Sequence, residues 1–190
     1  MFGPPGCGKG EVDLGLGRVG FPHVRLPMSK ALAELAEIDI ANSEIIKTCM
    51  QNGDYVPDYI TVPAFKRAWK DVKKDGHIVY DGVVRTLAQA TAVAELVSDH
   101  SFVHNFVIVV IDVPLDVCRM RAKGRNRADD IHQEKRLSLY AKKTVPAIKE
   151  LAHLTQKEVL RVTNERHPDE TAREIIGLIN RQTNCRRSRR

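Results

Sequence analysis

The stretch FGPPGCGKGE, residues 2–11, decides the fold. Gly3, Gly8 and Lys9 have the spacing G-x-x-x-x-G-K, at which a loop wraps its backbone N–H groups around a phosphate. Glycines at 3, 6, 8 and 10 allow close approach and positive φ, and the helix expected next turns its positive end to the anion. Pro5, Gly6, Cys7, Gly8, Lys9, Gly10 and Glu11 are therefore candidate ligands of a nucleotide's phosphates, with Lys9 reaching the β- and γ-phosphates as a mobile point charge. Magnesium ligation in such loops uses a hydroxyl after the lysine, and Gly10 has none.

Outward from the loop, short apolar runs alternate with helical stretches, the pattern of an α/β domain with a mostly parallel sheet. Strands are expected at 21–26, 77–80, 106–113 and 159–162. Helices are expected at 29–38, 60–74, 87–97, 115–123, 130–154 and 169–180. Only Met1 and Phe2 precede the loop. A central strand of about five or six residues belongs there, so either the sheet is short at that place or the strand begins upstream.

The 190 residues suit one domain, and 43% hydrophobic with 28% charged residues is ordinary for a soluble chain. No apolar run approaches the roughly 18 residues of a membrane span. Four scattered cysteines without CxxC spacing suggest neither a zinc site nor a disulfide framework, and reduced thiols point to the cytoplasm. The net charge of +6 admits a nucleic-acid surface, or an anionic small-molecule site plus a basic tail. Without aromatic-interleaved basic stretches the second is favoured, with residues 183–190 a disordered basic tail.

The form GKG resembles the loop of adenylate kinases and related nucleoside monophosphate kinases, and further segments follow in that family's order. Asn52-Gly-Asp-Tyr-Val-Pro-Asp58 resembles its G-x-x-V-x-D segment, and residues 80–90 its D-G-F-P-R-T-x-x-Q stretch. Ile111–Pro114 with Arg119, residues 124–130, Lys135–Leu137, Thr144–Pro146 and Val162–Pro168 complete the resemblance. It implies a P-loop NTPase-type parallel sheet flanked by helices, in a single domain at 1–182. Within it come a helical monophosphate-binding subdomain at 28–59 and a short lid at 124–131.

The activity implied is transfer of the γ-phosphate of ATP to a nucleoside monophosphate, AMP above others (ATP + AMP = 2 ADP), with Mg2+. By the same resemblance Arg85 grips the acceptor, while Arg119, Arg127 and Arg136 close over the donor and the transferring phosphate. Gly82 joins the acceptor site, Val56 and Gln89 recognise its base, and Asp81 holds magnesium through water. Small-molecule nucleotides are the implied partners of a monomer, with neither membrane nor nucleic acid. Arg121 and Lys123 read as a solvated helix face, and Phe65 with Trp69 as core.

Departures from the family pattern stand at Glu11, at Arg25–Met28 including Leu26, at Ala31 and at Val83-Val84, where the proline before Arg85 is missing. They leave open a catalytically weak ATP-binding pseudokinase that acts through a protein partner. The basic tail leaves open a nucleic-acid-binding protein.

Overall fold

A computed structural model of the chain describes residues 1–71, 76–99, 106–125 and 131–187. Four short parallel strands carry the architecture: β1 (His23–Pro27), β2 (His77–Asp81), β3 (Ile108–Asp112) and β4 (Val159–Thr163). β1 pairs with β2, Leu26 opposite Tyr80, and β3 pairs with β4, Ile111 opposite Val162. The two residues before the glycine loop lie between these pairs. Phe2 bridges Val110, donating to Val109 O at 2.8 Å and accepting from Ile111 N at 2.8 Å. On the other side the Met1 amine donates to Tyr80 O at 2.7 Å. Met1 and Phe2 thus occupy the central sheet position between the two strand pairs.

Helices cover both faces, as parallel strands require. α1 (Lys9–Arg18), α6 (Leu115–Arg125) and α9 (Pro168–Arg187) contribute to one layer. α2 (Met28–Ile38), α3 (Ile40–Gln51), α4 (Asp58–Asp71), α5 (Leu87–Asp99) and α8 (Val145–Thr155) contribute to the other. β3 shows why its sequence is apolar throughout. Ile108 and Val110 join the core of the second layer, while Val109 and Ile111 join that of the first. Burying each such side chain contributes about 1.5–3 kcal/mol. Phe65 and Trp69 pack edge to face at 5.7 Å, and Trp69 stacks on Tyr80 at 5.1 Å, so both belong to the core as expected.

The helices differ from the expected ranges in three places. The helix expected at 130–154 is divided into α7 (Gln133–Leu139), a π turn at Tyr140–Thr144 and α8. Pro146 explains the break: it has no N–H to give and its ring crowds the preceding turn, so the helix widens just before it. Ile40–Gln51 adds a helix inside the helical subdomain, capped by Asp39, whose carboxylate accepts from Asn42 N at 3.2 Å. α9 continues to Arg187, so the backbone at 183–187 is helical rather than a disordered tail.

Candidate active site

The glycine loop crosses from Phe2 to α1 with Gly3, Gly6 and Gly8 at φ 154°, 91° and 89°. The last two lie in the left-handed region, which costs a side-chain-bearing residue free energy. Space forbids one as well. A Cβ on Gly6 would stand 2.4 Å from Cys118 O, and one on Gly8 would stand 2.4 Å from Asn164 Nδ2. Three side chains from distant parts of the chain hold the loop's carbonyls. Asn164 Nδ2 donates to Cys7 O at 2.9 Å, Gln133 Nε2 to Pro5 O at 2.9 Å, and Arg121 Nη1 to Cys7 O at 3.4 Å. With its carbonyls engaged, the loop leaves its N–H groups to a ligand. Those of Gly8, Lys9 and Gly10 make no hydrogen bond among the described residues. Lys9 Nζ reaches back over the loop to Gly3 O at 2.8 Å.

This loop forms one end of a cleft of about 880 Å³. Pro5, Gly6, Gly8, Lys9, Gly10 and Glu11 line it, as do Val56, Asp81, Gly82, Arg85 and Arg136 from later segments. Cations outnumber carboxylates on its walls: Lys9, Arg25, Arg85, Arg121 and Arg136 face Glu11, Asp54 and Asp81. Away from the loop the wall turns apolar, with Leu32, Met50, Val56 and Val84. Such a cleft suits a ligand with a polyanionic part and a flat apolar part.

Arg85 is placed by its neighbours. Its N–H donates to Gln89 Oε1 at 2.8 Å, and its guanidinium carbon lies 5.2 Å from the centre of the Tyr55 ring. Tyr55 OH in turn pairs with Thr144 Oγ1 at 2.8 Å, which ties the loop at 52–57 to the π turn. Gly53, at φ 67°, brings that loop against α7, where a Cβ would stand 2.8 Å from His132 Cβ. Lys135 adds an ion pair to Asp54 at 2.6 Å.

Several expected site residues lie elsewhere. Gln89, expected to recognise the base, is buried and off the cleft wall; its Nε2 donates to Asp58 Oδ1 at 2.8 Å, so both ends of its amide are engaged by the framework behind Arg85. Arg119 turns away to a forked pair with Glu134, at 2.6 and 3.0 Å. Arg121, read from sequence as a solvated side chain, takes the place at the cleft and also donates to Asn164 O at 2.7 Å. Cys7 is fully buried beneath the loop, its Sγ accepting from Lys9 Nζ at 3.6 Å. Val56 stands on the wall, its carbonyl accepting Thr61 Oγ1 at 3.0 Å. Arg127 and most of the expected lid lie outside the described residues.

The family model for adenylate kinase matches residues 1–156. The chain is also 31% identical to an adenylate kinase of Maricaulis maris over 194 residues, covering 94% of this chain and 96% of that one. It is 30% identical to an adenylate kinase of Thermus thermophilus, with 78% and 79% covered, and 28% identical to one of Porphyromonas gingivalis, with 84% and 83% covered. This chain belongs to the adenylate kinase family.

In this adenylate kinase-family chain the residues expected to hold magnesium do not fit that task. Asp81, expected to hold it through water, is already engaged, its Oδ2 accepting from Arg25 Nη2 at 2.6 Å. Burial alone would push the Asp81 carboxyl up. Lys9, the Arg25 hydrogen bond and the Met1 amine outweigh it and hold the group below the usual carboxylate range. No cluster of three metal-ligating side chains exists among the described residues.

Proposed function

We propose that the chain is a nucleoside monophosphate kinase that transfers the γ-phosphate of ATP to AMP. One observation carries this reading: Lys9 on the phosphate loop and Arg85 on the acceptor side line the same cleft, whose far wall is apolar. Phosphoryl transfer needs two polyanions brought in line and the moving charge stabilised, with little covalent help. The loop N–H groups and Lys9 would hold the donor phosphates. Arg85, fixed through Gln89 and Tyr55, would take the acceptor phosphate in a forked pair. Arg121 and Arg136 would face the transferring group, joined by Arg127. Leu32, Met50, Val56 and Val84 form the slot for the acceptor base, with Gly82 at its edge. The same reading takes the chain to work as a cytoplasmic monomer on small-molecule nucleotides, without nucleic acid or membrane. No described helix is long and apolar enough to cross a membrane.

Coupled ADP production from ATP with AMP, CMP, UMP and GMP in turn tests the proposal. AMP should exceed each of the others in kcat/KM by about tenfold or more, the size of a 1.4 kcal/mol difference. Absence of ADP with every acceptor would overturn the kinase reading, and a pyrimidine preference would overturn AMP.

A further inference from the structure

Arg25 is a charged group on the cleft wall for which the proposed reaction, as described so far, has no task. It lies on β1, opposite Val79 of β2, with its side chain 35% exposed. Beyond its 2.6 Å bond to Asp81 Oδ2, its Nε lies 3.5 Å from Asp13 Oδ2. Asp13 is buried and shared with His23, whose Nε2 is 3.0 Å from Asp13 Oδ1. The third observation comes from α1. A Cβ built on Gly10 has Arg25 Nη2 as its nearest neighbour, at 3.8 Å. The guanidinium therefore stands between the carboxylate of Asp81 and the start of α1 at Gly10, beside the phosphate loop.

We propose that Arg25 replaces a divalent cation as the counter-charge for ATP, so that this chain binds ATP without Mg2+. The proposal rests on the reading that the glycine loop binds nucleoside triphosphates. A guanidinium carries a permanent charge and five donors in a planar fork matched to phosphate oxygens. One donor is engaged by Asp81, and Nη1 makes no hydrogen bond among the described residues, which leaves it for the ligand. Asp13 and Asp81 hold the group from two sides, so it is oriented before ATP arrives. A divalent cation brought to Asp81 would have to displace this ion pair and then lie beside two like charges, Arg25 and Lys9.

The test is calorimetric titration of the full chain with ATP, once in excess Mg2+ and once in excess EDTA. The two dissociation constants should agree within about threefold, a difference of about 0.7 kcal/mol. Arg25→Ser should lose about tenfold or more in EDTA and recover much of that in Mg2+, because Asp81 is released to a metal. Arg25→Lys, which keeps the charge, should remain close to the parent in EDTA. A parent chain whose affinity drops about tenfold in EDTA overturns the proposal. So does an Arg25→Ser variant equally weakened in both conditions, which would reduce Arg25 to a strut for Asp13 and Asp81. Should Arg25→Ser fail to fold, Arg25→Gln, which keeps hydrogen bonding without the charge, decides: it should lose about tenfold or more in EDTA, and parental affinity in EDTA overturns the idea. No ATP binding in either condition would instead overturn the kinase reading beneath it.

Discussion

The two ends of the cleft are built by different means. At the donor end the ligand-facing groups belong to the backbone, and side chains act from behind by fixing carbonyls. Gly6 and Gly8 cannot accept a Cβ, and Asn164, Gln133 and Arg121 leave the loop little room to move. At the acceptor end the groups are side chains, each oriented by another: Gln89 behind Arg85, Tyr55 beneath it, Thr144 behind Tyr55. A backbone site tolerates few substitutions and looks alike in every chain that uses it. A side-chain site can be rebuilt with other pairs.

The largest effect should come from the donor end. Lys9→Met removes a charge from the transferring phosphate, and turnover should fall by about 10²–10³-fold, the range seen when one transition-state charge partner is lost. The melting temperature should stay within a few degrees, because the bonds Lys9 contributes stay within its own loop, to Gly3 O, Pro4 O and Cys7 Sγ. Single-turnover kinetics beside a thermal melt would check both. A large loss of stability would erase the contrast by making Lys9 a structural strut.

At the acceptor end the chain of supports makes a different forecast. Arg85→Ala should lower kcat/KM for AMP by about tenfold to a hundredfold, as expected when a charge-assisted bond of about 1.5–3 kcal/mol is lost. Gln89→Leu should show a weaker form of the same defect, through misplacement of Arg85, with ATP binding unchanged. If Gln89→Leu altered the choice among acceptor bases and spared phosphate binding, Gln89 would be a base reader after all.

Asp81 offers a test by pH. Its carboxyl is held below its ordinary value in the folded chain. The stability it contributes is therefore fully present above about pH 4, the unfolded value, and is lost as pH falls through the lower folded value. Chemical denaturation at several pH values between about 5 and 3 should show a steep loss in the parent. In Asp81→Asn the slope should be shallower. Equal slopes would mean that Asp81 gains nothing from Lys9 and Arg25.

The smallest effect concerns Glu11, exposed in the first turn of α1 and on the cleft wall. Its carboxylate suits the helix end but opposes phosphate. Glu11→Thr should tighten ATP binding about two- to fivefold, in keeping with an exposed charge interaction of up to about 1 kcal/mol. Weaker binding in the variant would make Glu11 a working part of the donor end.

The same contrast explains what could be read in the sequence. Glycine spacing declares a backbone site directly, so the loop, Lys9 and the α/β class were legible from residues 2–11 and the apolar runs. Gln89 was not legible, because a glutamine one helical turn after Arg85 looks the same whether it faces a base or an N–H. Arg119 and Arg121 lie on opposite flanks of the buried stripe of Cys118 and Ala122, so helical phase sets one on either side without choosing. Arg25 stood out only as a departure, since its partners Asp13 and Asp81 are 12 and 56 residues away along the chain. The division of the helix at 130–154 had a visible signal in Pro146.

The support of Cys7 O by Asn164 also bears on how the chain is made. The two residues are 157 positions apart. During synthesis at about 5–20 residues per second, Cys7 precedes its partner by roughly 8–30 s. Through that interval the loop has its glycines but not the amide that shapes it. α1 likewise waits for α9, whose Asp169 pairs with Arg18 at 2.6 Å and whose Pro168 O would stand 3.0 Å from a Cβ on Gly15. α1 is therefore secured only after a partner made 151 residues later, and nucleotide-binding competence should wait for that segment.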